Sequence, residues 1–290
     1  LVFLSIIGLV VATGAFAQDE PVYNAELAAL NDQLALMGVS FELATAEYVT
    51  TAEGPDFGNT VLAKDVGNKQ LAHHFVPFDP RRPWSGPGSA ITWINDTIDG
   101  NTASGLSSAD TAGAIRSAMQ TWEDVQCSNL PLNDLGDIAA DLGFVQFLLG
   151  YGGSPFIFAD VTHAGWLPPA FFDTVAPGGS TFILGVTFTF TFTGGDSNGD
   201  GRSDTAFREI YYNNAAFWRI GRNFDVETVA LHEAGHSLSQ EHFGKVSFKN
   251  DGSLQLSPEA VMNATYSAVR QELRGSDIGG HCSNWGSWPN

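Results

Sequence analysis

NFDVETVALHEAGHSLSQEHFG, residues 223–244, places three histidines and a glutamate close together in the chain. His232 and His236 stand four residues apart, so on a helix they are separated by about 40° in azimuth and about 6 Å along the axis. Both imidazoles therefore reach one metal ion. Glu233, next to the first histidine, points to the side of that ion where a water would sit, which suits a general base better than a ligand. His242 follows His236 by six residues, and in an unbroken helix it would be turned away by about 240° and displaced by about 9 Å. The spacing predicts that the helix stops between them. At its start, Asn223 is the expected cap, Asp225 and Glu227 fall in the positive first turn, and Val226, Ala230 and Ala234 form an inward stripe. HExxH alone is a pattern that chance supplies on ordinary helices. Histidine fills only 7 of 290 positions, so a third one at the required offset arises by chance about once in forty. That favours a zinc cradle.

HEAGHSLSQEH resembles the metzincin zinc-peptidase signature, two helical histidines plus a third after a chain reversal, and the flanking VALHEAGHSL and EHFG are most similar to matrixins. The resemblance implies an α+β fold: a twisted mixed β-sheet, a long N-terminal helix, the zinc-binding helix, and a C-terminal helix after a Met-turn. It also implies a secreted zinc metalloendopeptidase with protein or peptide substrates, in which His232, His236 and His242 hold zinc and Glu233 is the general base. Matrixins usually have glycine where Ser239 stands, and a non-glycine residue with positive φ costs roughly 1 kcal/mol. Met262, in VMNATY, resembles the Met-turn, and Tyr266, four places on, is expected in the substrate-pocket wall rather than at the metal. In matrixins the edge strand before the zinc helix binds extended substrate backbone. Two rivals remain: a gluzincin-type enzyme with Glu259 or Glu272 as third ligand, and a non-catalytic, calcium-stabilised binding protein that keeps an unused cradle.

The chain opens LVFLSIIGLVVATGAFAQDE, an apolar run ending in an A-x-A site at residues 15–17. Residues 1–17 read as a secretory signal, with an uncleaved anchor as the alternative, since the run falls a little short of the ~20 residues that span a bilayer. The hydrophobic content of 43% and aromatic content of 12% argue for a folded chain. With 13 basic against 32 acidic residues, the net charge of −19 repels nucleic acid and anionic membranes and favours cations. An exported monomer without stable membrane insertion is expected. In an exported chain the isolated pair Cys127 and Cys282 most simply forms one disulfide, closing a loop of about 155 residues that stabilises by roughly 4–5 kcal/mol. Two buried free thiols are the alternative. Neither cysteine has a CxxC partner, which argues against a zinc role.

Residues 24–37 carry Leu27, Leu30, Leu34 and Met37 at helical spacing before Gly38, and alternating runs at 39–51 and 60–64 read as strands. A Pro- and Gly-rich stretch from 77 to 88 signals a boundary. Under the matrixin resemblance, residues 18–85 then take the place of a small α/β propeptide and 86–290 that of the protease domain. Matrixin propeptides commonly block zinc with a cysteine in a PRCGxPD-like motif, whereas this segment has none and offers only DPRRP at 79–83. A thiolate switch is excluded. Blockade by Asp79, His73 or His74 is conceivable, while the plainer reading makes His73 and His74 a surface pair at a strand end.

ITWIND (91–96) reads as a strand, and Ser108 is the expected cap of a helix with Ala112, Ile115, Ala118, Met119 and Trp122 on one apolar face. ILGVTFTFTF (183–192) and the run from Phe207 to Trp218 read as further strands, and His163 as a loop or structural histidine. Between those strands lies DSNGDGRSD. Asp196, Asn198, Asp200 and Asp204, the Arg202 carbonyl and the turn at Gly201 reproduce the first nine residues of a calcium loop. Phe207 stands where the twelfth-place glutamate belongs, so a weak structural calcium site is expected, with a solvated acidic turn as the alternative.

Overall fold

Residues 183–192 are buried at every position, which a strand reaches only with both faces covered. The computed structural model describes residues 24–52, 60–63, 72–84 and 88–289, so the signal-like run at 1–17 lies outside the described residues. In chain order the strands are β1 (Phe41–Thr51), β2 (Thr60–Ala63), β3 (His73–His74), β4 (Ile91–Asp96), β5 (Leu132–Ile138), β6 (Val161–Leu167), β7 (Ile183–Phe192), β8 (Ser203–Asn213), β9 (Trp218–Arg219), β10 (Phe224–Asp225), β11 (Lys245–Phe248), β12 (Leu254–Ser257) and β13 (Thr265–Tyr266). The helices are α1 (Ala25–Met37), α2 (Ser108–Glu123), α3 (Phe144–Leu148), α4 (Pro169–Val175), α5 (Val226–Ser237) and α6 (Gly275–Trp285). The described residues thus form an α+β fold with a mixed sheet.

The main sheet runs β13-β1-β7-β8-β6-β4-β5, with β2 on β1 and β3 on β8. Strands β5, β4, β6 and β8 are mutually parallel, β7 is antiparallel to β8, and β1 is antiparallel to β7 and parallel to β13. The break in composition near residue 85 does not divide this sheet. Strand β1, which precedes it, lies between two strands that follow it.

Two apolar cores flank the sheet. In one, Ile115, Met119 and Trp122 of α2 pack on Val229, Ala230 and Ala234 of α5, and Trp122 Nε1 donates to the Leu231 carbonyl at 2.8 Å. Gly235 makes this approach possible, because a Cβ there would collide with Met262 Sδ and press on the Trp122 ring. In the other, Leu27, Leu30 and Leu34 of α1 join Leu43 and Tyr48 of β1 against a cluster of phenylalanines that includes Phe171, Phe188 and Phe190. Met37 ends the predicted stripe but is 45% exposed, since the chain turns away at Gly38, which has φ 69°.

Two local expectations shift. The cap of α2 is Ser107, not Ser108, because Asp110 reaches back to the Ser107 N–H at 2.9 Å and closes a capping box. His73 and His74 are buried, not a surface pair, because β3 pairs in parallel with β8. Cys127 and Cys282 form a disulfide with Cα atoms 5.6 Å apart. It ties the loop that follows α2 to α6. Among the described residues, no helix is long and apolar enough to cross a membrane.

Non-reduced peptide mapping is expected to recover Cys127 and Cys282 in one linked pair, and reduction to cost roughly 4–5 kcal/mol in urea unfolding. A midpoint unmoved by reduction would contradict a stabilising bridge.

Candidate metal centre

Helix α5 begins at Val226, and its cap is Asp225, whose carboxylate accepts the Thr228 N–H at 3.0 Å and the Thr228 hydroxyl at 2.6 Å. Asn223, the cap expected from sequence, instead takes φ 53° two residues earlier. The shift follows from β10, whose pairing with β9 keeps Phe224 and Asp225 extended. At the other end the helix closes in a Schellman motif: the Ser239 N–H donates to the His236 carbonyl and the Gln240 N–H to the Gly235 carbonyl, both at 2.9 Å. Ser239 occupies the left-handed position with φ 65°. Its hydroxyl donates to the His73 carbonyl at 2.9 Å and accepts from Arg208 Nη1 at 3.1 Å, which holds a non-glycine residue there.

The reversal returns His242 to the helix face. Its Nε2 lies 3.0 Å from Nε2 of His236 and 3.1 Å from Nε2 of His232, and the helical pair is separated by 3.0 Å. Nδ1 of His232 faces the Val261 carbonyl at 2.7 Å and Nδ1 of His236 the Gln240 carbonyl at 2.8 Å. Those carbonyls only accept, so they place the protons on Nδ1 and leave the Nε2 lone pairs facing one another. Burial lowers the pKa of His232 to about 4 and, with the neighbouring histidines adding to the effect, sets His236 and His242 well below the ordinary value. All three rings are neutral at pH 7. The Nε2 lone pairs of His232 and His236 repel unless a cation shares them, and the spacing of the three Nε2 atoms is close to what Zn–N bonds of about 2.0–2.1 Å require. The donor set fits zinc.

Glu233 is fully buried, with Oε2 accepting the Thr187 hydroxyl at 2.6 Å. Oε1 is buried and has no hydrogen-bond partner. Burial pushes the carboxyl pKa up to about 8, opposed by the Thr187 hydroxyl and the nearby Val49 main-chain N–H. Gly185 leaves room for this side chain, since a Cβ there would stand 2.9 Å from Oε1. Met262 is fully buried, and the turn it shares with Val261 hangs on Asp277, whose carboxylate accepts both main-chain N–H groups at 3.0 and 3.1 Å. Tyr266 lines a small cavity beside His232, and its hydroxyl donates to the Asn223 carbonyl at 2.5 Å.

Other sequence candidates lie elsewhere. Glu259 is exposed and paired with Arg270 at 3.3 Å, Glu272 is exposed, and neither joins the histidines. Asp79 is paired with Arg81, so it does not block the triad. In the 196–204 loop, Asp196 accepts the N–H groups of Gly199, Asp200 and Gly201 at 2.7 to 3.1 Å, with Asn198 and Asp200 exposed beside it. Asp204 is buried in β8 and ion-paired with Arg81, and the Arg202 side chain turns to His74. The carboxylates of Asp196, Asp200 and Asp204 form no convergent group among the described residues. His163 is structural, buried in β6 with Nδ1 2.9 Å from the Tyr212 hydroxyl. Sequence reading missed Thr187, Gly185, Arg208 and Val49. No spacing rule links single residues of strands to a distant helix.

Compared with models of protein families and with curated proteins, the chain matches none at a significant level.

The purified protein is expected to hold one zinc per chain, and alanine at position 232, 236 or 242 to weaken its retention at least tenfold, read by metal analysis after dialysis. Ser239→Ala and Ser239→Gly both lose the hydroxyl bonds, but only alanine keeps the left-handed strain, so it should be less stable than Ser239→Gly by about 1 kcal/mol. Equal urea midpoints for the two would show that the turn carries no strain.

Proposed function

We propose that this protein is a secreted zinc metalloendopeptidase of the metzincin type, matrixin-like and without a cysteine switch. The observation that carries the reading is the meeting of three neutral imidazole Nε2 atoms within 3.1 Å of one another, two of them on the helix that also carries Glu233. His232, His236 and His242 are the residues that would hold zinc. A zinc ion bound there supplies Lewis acidity, which polarises a scissile carbonyl and acidifies water.

The chain's own groups do the rest. Burial holds the Glu233 carboxyl up at about 8, and a cation in the cradle would favour its ionised form, which takes a proton from the attacking water and passes it to the leaving amine. The Thr187 hydroxyl, 2.6 Å from Oε2, fixes the carboxylate rotamer and acts as a positioning residue. Val261 and Gln240 orient the ligand rings through their carbonyls, the outer-shell role that metal-bound histidines require. Substrates are proteins or peptides, as the net charge of −19 disfavours nucleic acid. Export is supported by the signal-like run and by the disulfide, which oxidising compartments favour. Structural calcium enters the proposal only through Asp196, Asn198 and Asp200, because Asp204 is committed to Arg81.

The complete burial of Glu233 favours a second reading, a non-catalytic binding protein with an unused cradle. Hydrolysis of casein or a quenched peptide that a chelator abolishes would separate the two.

Glu233→Gln is expected to keep one zinc and lose at least 10²-fold in turnover, whereas Thr187→Val should lose about tenfold with zinc unchanged. Wild-type rates in Glu233→Gln would remove the base from this scheme.

A further inference from the structure

The sheet face beneath α5 is polar where it passes under the histidines. Thr187 of β7 donates to Glu233 at 2.6 Å, and Thr189 accepts from Arg208 Nε at 3.1 Å. Glu47 of β1, opposite Thr187 in the register and fully buried, brings Oε2 to 3.5 Å from Nδ1 of His236. We propose that Glu47 is an outer-sphere carboxylate of the metal centre, a positioning residue that acts through His236 to strengthen the hold of the triad on a divalent cation. This rests on the zinc-binding reading of the triad above and not on hydrolysis.

A buried anion is costly unless positive or polarised groups share its site. Glu47 has one of each. Arg208 is fully buried as well, and the charge of Glu47 opposes the burial that lowers the guanidinium pKa. The second neighbour is the Nδ1–H of His236. The Gln240 carbonyl, 2.8 Å away, already takes that proton and fixes the tautomer. Ring orientation therefore does not require Glu47. What the carboxylate adds is charge, placed behind the ring whose Nε2 faces the other two histidines.

That charge answers a conflict built into the end of α5. Arg208 donates to the Ser237 carbonyl at 2.6 Å and to the Ser239 hydroxyl at 3.1 Å, so the reversal that returns His242 depends on a guanidinium. Its field reaches the metal side: burial chiefly lowers the His236 pKa, and Arg208 is among the charges that add to the effect. The same field disfavours a divalent cation on Nε2. Glu47 carries the opposite sign and stands against both groups, so it offsets Arg208 at His236 and raises the basicity of the ligand ring. The N-terminal segment thereby contributes to the metal centre electrostatically, from behind the ligands.

The test uses the full-length protein and three readouts: the zinc dissociation constant by competition with a chromogenic chelator, the visible spectrum of the cobalt-substituted protein, and the urea midpoint of the metal-free protein. Glu47→Gln keeps the shape and removes the charge. It should bind one zinc roughly tenfold or more weakly than the wild type and shift the cobalt bands. Glu47→Asp keeps the charge but draws it back by one methylene, so its zinc constant should fall between the two. Should the neutral variant not fold, the aspartate variant carries the test, with zinc binding weaker than in the wild type as the expected result. A lowered urea midpoint with unchanged zinc constant and cobalt spectrum makes Glu47 a partner of Arg208 alone and overturns the proposal. Equal zinc constants in wild type and every folded variant overturn it too. A wild-type chain that binds no zinc overturns the reading of the triad, and this inference with it, whereas tight zinc binding without hydrolysis overturns only the peptidase reading.

Discussion

The end of α5 is where the fold and the site meet, and a single buried guanidinium controls it. Arg208 lies in β8 with no exposed surface, donating to the Ser237 carbonyl at 2.6 Å, to the Ser239 hydroxyl at 3.1 Å and to the His73 carbonyl at 3.1 Å. Burial lowers its pKa to about 9, with Glu47 opposing, so the charge persists at neutral pH. A buried cation needs saturated partners, and helix-terminal carbonyls are suitable ones. Trp285 Nε1 and Asn284 Nδ2 of α6 take the Leu238 and Ser239 carbonyls at 2.8 and 3.0 Å. The reversal is thus held from the sheet on one side and from α6 on the other. Without it His242 would sit on the wrong face of the helix.

The same elements set the rest of the site. Asp277 of α6 suspends the Val261–Met262 turn, the Val261 carbonyl orients His232, and Gly235 lets Met262 lie against the helix. Strand β7 contributes Thr187 and Gly185 to the Glu233 carboxylate, one as a donor and the other by leaving space. Each histidine of the triad is therefore positioned by a group more than twenty residues away in sequence or by the main chain of the reversal.

Strand β1 places Leu43 and Tyr48 in the core shared with α1 and Val49 in the core shared with α5, so the N-terminal segment is built into both sides of the sheet. A compositional boundary near residue 85 and a strand built into the middle of the sheet are reconciled if that segment is folded in place against its own domain.

How much was legible beforehand depended on the range of the forces involved. The spacing of His232, Glu233 and His236, the stop before His242, the stripe of α2 and the pairing of two isolated cysteines could all be read in the sequence. Helical periodicity and chain reversal act over a few residues, and two cysteines allow one pairing. The cap at Asp225 rather than Asn223, the burial of His73 and His74, the capture of Asp204 by Arg81 and the filling of the β7 edge by β1 could not. Each depends on which strand neighbours which, a choice among contacts between residues far apart in the chain. By itself the sequence determined that three histidines and a glutamate could share one face. The tertiary structure alone decided what stands in front of that face, because sheet register depends on the burial of whole strands rather than on any local spacing.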